Sequence, residues 1–231
     1  MGVQGMMAGW ALAGERVDAD VLLRGGTLYD GTGAEGRVGD VAIRGDRIVA
    51  VGRFDAGRVE QVIDCTGLIV APGFIDLHTH CDRTLVKEPL RANLNYLTQG
   101  CSTVITGNCG TGAGNVGKYF EQLEHDGVGT NVIHLLPYGP VRSSGMGNAP
   151  RRPKPDELQR LKDETDVAMK AGAWGMSTGL WYAWNSHADT AEVIEVARVV
   201  GSHGGLYASH IRNEGDGLVD AVEEALEIGR E

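Results

Sequence analysis

Pro72-Gly73-Phe74-Ile75-Asp76-Leu77-His78-Thr79-His80 is where the chain changes rhythm. Upstream, short apolar alternations such as Val21-Leu22-Leu23, Val41-Ala42-Ile43 and Arg47-Ile48-Val49-Ala50-Val51 are broken by Gly and Asp turn residues. That pattern predicts a small antiparallel, β-sandwich-like domain over residues 19–66, preceded by a leader over 1–18 that has no clear period. Downstream, each apolar run is followed by helical spacing. Expected strands lie at 74–80, 102–106, 131–136, 174–178 and 206–211, with helices over 89–99, 116–125, 155–171, 188–202 and from 217 onward. Alternating units of about 30 residues imply α/β architecture around a parallel sheet.

Composition narrows the class. Hydrophobic residues are 42% and charged residues 23%, which suits a globular chain rather than a disordered or membrane-spanning one. Glycine accounts for 35 of the 231 residues, roughly twice ordinary usage, so many tight turns are expected. With 21 Lys and Arg against 31 Asp and Glu, the net charge of −10 argues against nucleic-acid and anionic-membrane partners and suits a cation or a small molecule. The apolar stretch near Met6 lacks a basic leader, and no run approaches a membrane span. Cys65, Cys81, Cys101 and Cys109 are therefore read as thiols or metal ligands of a cytoplasmic protein.

Reactive residues recur at the C-terminal ends of the expected strands. His78 and His80 are two apart and share a side with Asp76, so two imidazoles could hold one divalent cation, although one buried and one exposed histidine is the plainer reading. Cys109, flanked by Gly107 and Gly110, could turn its sulfur back over the sheet, or be a small buried hydrophobe as most free cysteines are. His210 and Arg212 share a face; a guanidinium fork there suits a substrate carboxylate, or pairs with Glu214 or Asp216. Tyr182 follows the fourth strand, where loops of a barrel contact substrate and where packing is the alternative. His134, inside an apolar strand, reads as a hydrogen-bonded core residue, and Gly110-Thr111-Gly112-Ala113-Gly114 lacks the spacing of a dinucleotide fingerprint.

Four linked motifs then carry a resemblance: Pro72 to His80, Gly107-Asn108-Cys109-Gly110, Gly175-Met176-Ser177-Thr178-Gly179-Leu180-Trp181-Tyr182, and Ser209-His210-Ile211-Arg212-Asn213-Glu214. From about residue 20 onward the chain resembles the amidohydrolase superfamily, in its N-acyl-D-amino-acid deacylase (D-aminoacylase) branch. The resemblance implies a (β/α)₈ TIM-type barrel, incomplete here at about five units over 67–231. It implies one or two Zn²⁺ ions held by His78, His80, Cys109 and His210, and a small N-acyl amino acid substrate, for which Tyr182 and Arg212 are the candidate contacts. The reaction implied is hydrolysis of a linear amide. The family's catalytic aspartate is expected beyond residue 231, so no catalytic residue is assigned.

Two alternatives stand beside this. A cyclic amidase of hydantoinase or dihydropyrimidinase type would place a carboxylated lysine at the end of the fourth strand, but Gly175 to Tyr182 contains none and the nearest is Lys170. A catalytically incomplete, non-enzymatic fragment is the other. The chain also departs from the family in two loops expected to face substrate: Tyr138 stands where a histidine is usual, and Ala183-Trp184-Asn185-Ser186 where Pro-Gly is frequent. An open barrel would expose apolar strand edges, so the isolated chain is expected to aggregate.

Overall fold

The structure is a computed structural model that describes residues 16–147 and 149–230. The chain divides into two compact units that part between Pro72 and Gly73.

The first unit is one sheet. β1 (Arg16–Leu28), β2 (Arg37–Arg44) and β3 (Arg47–Gly52) form an antiparallel meander, β4 (Asp55–Asp64) lies on the other edge of β1, and β5 (Ile69–Val70) extends that edge. Ala19, Leu22, Ala42 and Ala50 are buried together, although Ala19 and Leu22 stand out of step with a strict two-residue alternation. Two expectations need correction. β4 and β5 both run parallel to β1, so the sheet is mixed rather than antiparallel, and the described residues of this unit form one sheet. A two-residue period says which side chains face the core but not the direction of the neighbouring strand. The expected leader also ends earlier, since 16–18 already belong to β1; residues 1–15 lie outside the described residues.

The second unit begins with β6 (Phe74–Asp76), then the single turns α1 (Asp82–Leu85) and α2 (Leu94–Leu97). It continues with β7 (Cys101–Thr106), α3 (Val116–Asp126), β8 (Asn131–His134), β9 (Leu136–Pro137), α4 (Tyr138–Met146) and α5 (Pro155–Lys170). β10 (Gly175–Gly179), α6 (Thr190–Ser202), β11 (Leu206–His210) and α7 (Leu218–Arg230) complete it. All the strand pairs are parallel, and the strands lie in unreversed chain order, β6-β7-β8 in one sheet and β9-β10-β11 in the next. A doubly wound sheet reverses its order at a switch point, and this one does not. Bulky residues from sheet and helices, among them Leu136, Leu161, Met176, Val193 and Val196, form the main core, each burial contributing about 1.5–3 kcal/mol.

Local departures have local causes. The expected strand 74–80 stops at Asp76, where the carboxylate accepts the His78 N–H and bends the chain. The expected helix 89–99 is broken by Asn93, which takes a left-handed conformation (φ 52°) while its buried amide donates to Thr130 Oγ1. The helix after residue 188 is capped by Asp189, whose carboxylate accepts the Glu192 N–H. The helix α4 was not foreseen. Among the described residues no helix is long and apolar enough to cross a membrane.

Candidate metal centre

The most constrained backbone in the second unit follows β7. Gly107, Cys109 and Gly110 all adopt positive φ (77°, 54° and 65°), and Cys109 does so without being glycine, a conformation that costs about 1–2 kcal/mol. At Gly107 a Cβ would stand 2.0 Å from the Leu135 carbonyl oxygen, so no other residue fits. Neighbouring elements over-determine the turn. Asp82 accepts the Gly107 N–H at 2.6 Å. The buried Ser177 hydroxyl on β10 accepts the Gly110 N–H at 3.0 Å and donates to the Gly107 carbonyl. The Trp184 indole donates to the Cys109 carbonyl at 3.0 Å. Asn185, fully buried, accepts the Gly179 N–H. None of Asp82, Ser177, Trp184 or Asn185 was identified as a supporting residue from sequence; the only signal was that three lie in or beside the quoted motif 175–182.

This turn aims the Cys109 sulfur at two histidines. Sγ lies 3.4 Å from His78 Nε2 and 3.8 Å from His210 Nδ1. The donor atoms of His78, His80 and Cys109 all fall within 4.8 Å of one another. His78 and His80 share a side as their spacing predicts, with ring centroids 5.3 Å apart, although they stand past the end of β6. Thr79 between them points inward, its N–H and hydroxyl both donating to the Ile105 carbonyl. His210 closes β11.

These separations fit a cation. Two ligands of a tetrahedral zinc, at Zn–S near 2.3 Å and Zn–N near 2.1 Å, lie about 3.6 Å apart. The two measured S···N separations bracket that value. His210 Nε2 is buried and makes no hydrogen bond, although Glu214 Oε1 stands 3.2 Å away. Burial pushes the Cys109 thiol up, and burial together with the neighbouring His80 pushes the His78 imidazole down. Both shifts favour the uncharged forms of His78 and Cys109, and a cation beside the sulfur would favour the thiolate. Sulfur with imidazoles is the donor set of a borderline-soft divalent ion.

Tyr182 joins this corner: its ring lies between His210 and Trp184 with centroids 4.6 Å from each, and its hydroxyl is 3.3 Å from His210 Nδ1. Arg212 does not present its fork there. Its guanidinium bonds to both oxygens of Glu224 and to the carbonyls of Ser186 and Ala188, an internal tie. Tyr138 is turned inward. It is fully buried at the start of α4 and donates to Glu192 at 2.6 Å beside the buried Arg142–Glu192 ion pair. His134 is buried with Nδ1 on the Thr106 hydroxyl and Nε2 donating to the Ala113 carbonyl, and desolvation holds it neutral. All four cysteines are free thiols.

Comparison with known proteins places these features. A model of the Amidohydrolase family matches residues 61–129. D-aminoacylase of Alcaligenes xylosoxydans xylosoxydans is 36% identical over 235 residues, covering 92% of this chain and 48% of that protein. The crystal structure of N-acyl-D-glutamate deacylase from Bordetella bronchiseptica, complexed with zinc and a phosphonate mimic of the tetrahedral intermediate, superposes with a TM-score of 0.85. It is 38% identical, over 93% of this chain and 49% of that one. L-hydantoinase of Arthrobacter aurescens, at 15% identity and a TM-score of 0.62, shares the fold alone over 92% of this chain and 51% of its own. The chain spans about half the length of the relatives it matches.

Proposed function

The chain belongs to the amidohydrolase superfamily, in its N-acyl-D-amino-acid deacylase branch, and from that premise we propose that it carries the first part of a zinc-dependent hydrolase that deacylates N-acyl-D-amino acids. The observation that carries the reading is Cys109 Sγ standing at coordination spacing from both His78 and His210. Zinc would be held by His78, His80, Cys109 and His210. When bound, zinc polarises a substrate carbonyl and lowers the pKa of water from ~15.7 toward ~7.

The chain's own residues prepare that site. Cys109 would hold the metal as a thiolate, and the left-handed turn around it keeps the sulfur aimed. Partial desolvation and the neighbouring His80 both lower the His78 pKa, which favours its uncharged form. Tyr182 holds a hydroxyl at the same corner, where it would meet the substrate. The parallel strands in unreversed order are read as about five units of a (β/α)₈ barrel within 67–231, with 19–66 as a separate small β domain. Four free thiols and an acidic balance suit a cytoplasmic setting. A cyclic-amidase reading is disfavoured because no lysine stands on or after β10 up to Tyr182.

The test is metal analysis of the chain together with amine release from N-acetyl-D-methionine, from its L enantiomer and from a hydantoin. Bound zinc is expected, and any turnover should favour the D substrate. Tight zinc with no turnover of any of them identifies a non-enzymatic fragment, and hydantoin opening would overturn the linear-amide assignment.

A further inference from the structure

We propose that Arg212 is a positioning residue: with Glu224 it clamps the β10–α6 loop, and through that loop it sets His210 and Cys109 at coordination spacing. The inference rests on the metal-centre reading above.

The clamp is built from named bonds. Arg212 Nε and Nη2 grip the Glu224 carboxylate at 2.9 and 2.8 Å, Nη1 donates to the Ser186 carbonyl at 2.9 Å, and Nη2 also donates to the Ala188 carbonyl at 2.7 Å. Glu224, on α7, further accepts the Thr190 hydroxyl at 2.9 Å, which joins the first turn of α6 to the same carboxylate. One guanidinium therefore ties the far end of the loop, the start of α6 and the face of α7 to the residue two positions beyond His210.

The loop so held reaches both ligands. Its near end is fixed by the Leu180 N–H on the His210 carbonyl and by Asn185 on the Gly179 N–H. Between the two anchors, Trp184 donates to the Cys109 carbonyl and stacks on Tyr182 at an interplanar angle of 15°, and Tyr182 lies against the His210 ring. A released far end frees Trp184 and Tyr182 together, so Cys109 and His210 lose a shared support. Lysine cannot substitute, because a point ammonium lacks the planar fork needed to serve one carboxylate and two carbonyls in fixed directions.

The experiment measures zinc affinity by chelator competition and the cobalt(II) absorption spectrum on the full chain, for wild type, Arg212→Met, Arg212→Lys, Glu224→Gln and Cys109→Ala. Arg212→Met is expected to weaken zinc about 10–100-fold, the range for losing a partner that orients a ligand. It should also alter the cobalt spectrum, with Arg212→Lys failing to restore either and Glu224→Gln shifting both in the same direction. A folded Arg212→Met with wild-type zinc affinity and spectrum overturns the clamp. So does a lowered melting temperature or a raised KM for N-acetyl-D-methionine with both metal readouts unchanged. Should Arg212→Met not fold, Glu224→Gln decides, and wild-type metal readouts in it overturn the proposal. Undiminished zinc affinity in Cys109→Ala instead overturns the metal-centre reading itself.

Discussion

The Cys109 turn and the His78–His80 pair contribute donors to one cluster, yet they are held in different ways. Cys109 is 6% exposed, its flanking peptide groups bond to Asp82, Ser177 and Trp184, and its backbone sits in a conformation that only such bonds maintain. His78 and His80 are exposed, stand beyond the end of β6, and depend on an Asp76 turn and on the inward anchor of Thr79. A ligand held rigidly loses little freedom on binding a cation, whereas one on an open turn must be ordered as it binds. The contrast predicts a dominant site built on Cys109 and His210 and a weaker contribution from the histidine pair.

Substitutions can break that contrast, beginning with the backbone. Gly107→Ala forces a Cβ onto the Leu135 carbonyl at a positive φ, and a stability loss of roughly 3–5 kcal/mol is expected in denaturant unfolding. A midpoint like that of the wild type would mean the turn is softer than its packing implies. Cys109→Ala should weaken zinc by more than the ~100-fold upper range for an outer-shell partner, measured by chelator competition. If His78→Ala costs as much, the two halves of the cluster are equivalent and the contrast fails.

Smaller effects sharpen it. Ser177→Ala leaves the buried Gly110 N–H and Gly107 carbonyl without their partner, which should lower stability by about 1–3 kcal/mol in thermal or urea melts. The same variant should also weaken zinc, since the turn it supports carries the sulfur. His80→Ala is expected to cost about tenfold in zinc affinity or less, with the melt unchanged, because its ring is exposed. A large loss of stability in His80→Ala would show the exposed arm to be structural.

Much of the second unit was legible because its elements are written in local periodicity. The spacing of Val116, Tyr119 and Leu123 along α3, and the β-branched run Thr103-Val104-Ile105-Thr106 of β7, need no distant partner to be recognised. The pairing of His78 with His80 followed from a spacing of two, and it survived the early end of β6 because Thr79 still turns inward between them. The parallel β1–β4 pairing left no trace in the alternation of either strand. The break at Asn93 depends on Thr130, 37 residues away, which accepts its amide.

Arg212 marks the boundary most clearly. Its place at a strand end beside His210 was readable, and so was the chemistry a guanidinium offers there. Its actual partner, Glu224, lies one helix later and reaches it only because α7 packs back against β11. Tyr138 repeats the lesson: a residue expected in a substrate-facing loop opens a helix and is buried on Glu192, 54 positions on. Sequence alone determined the alternation of strands and helices apart from α4 and the break at Asn93, the residue types that can ligate a metal, and the strand ends near which they stand, since these follow from local steric preference and side-chain chemistry. Only the tertiary structure decided which polar groups are consumed by internal bonds and which remain to face a ligand. That choice depends on how far-separated segments pack, because a buried donor must find an acceptor wherever the fold happens to place one.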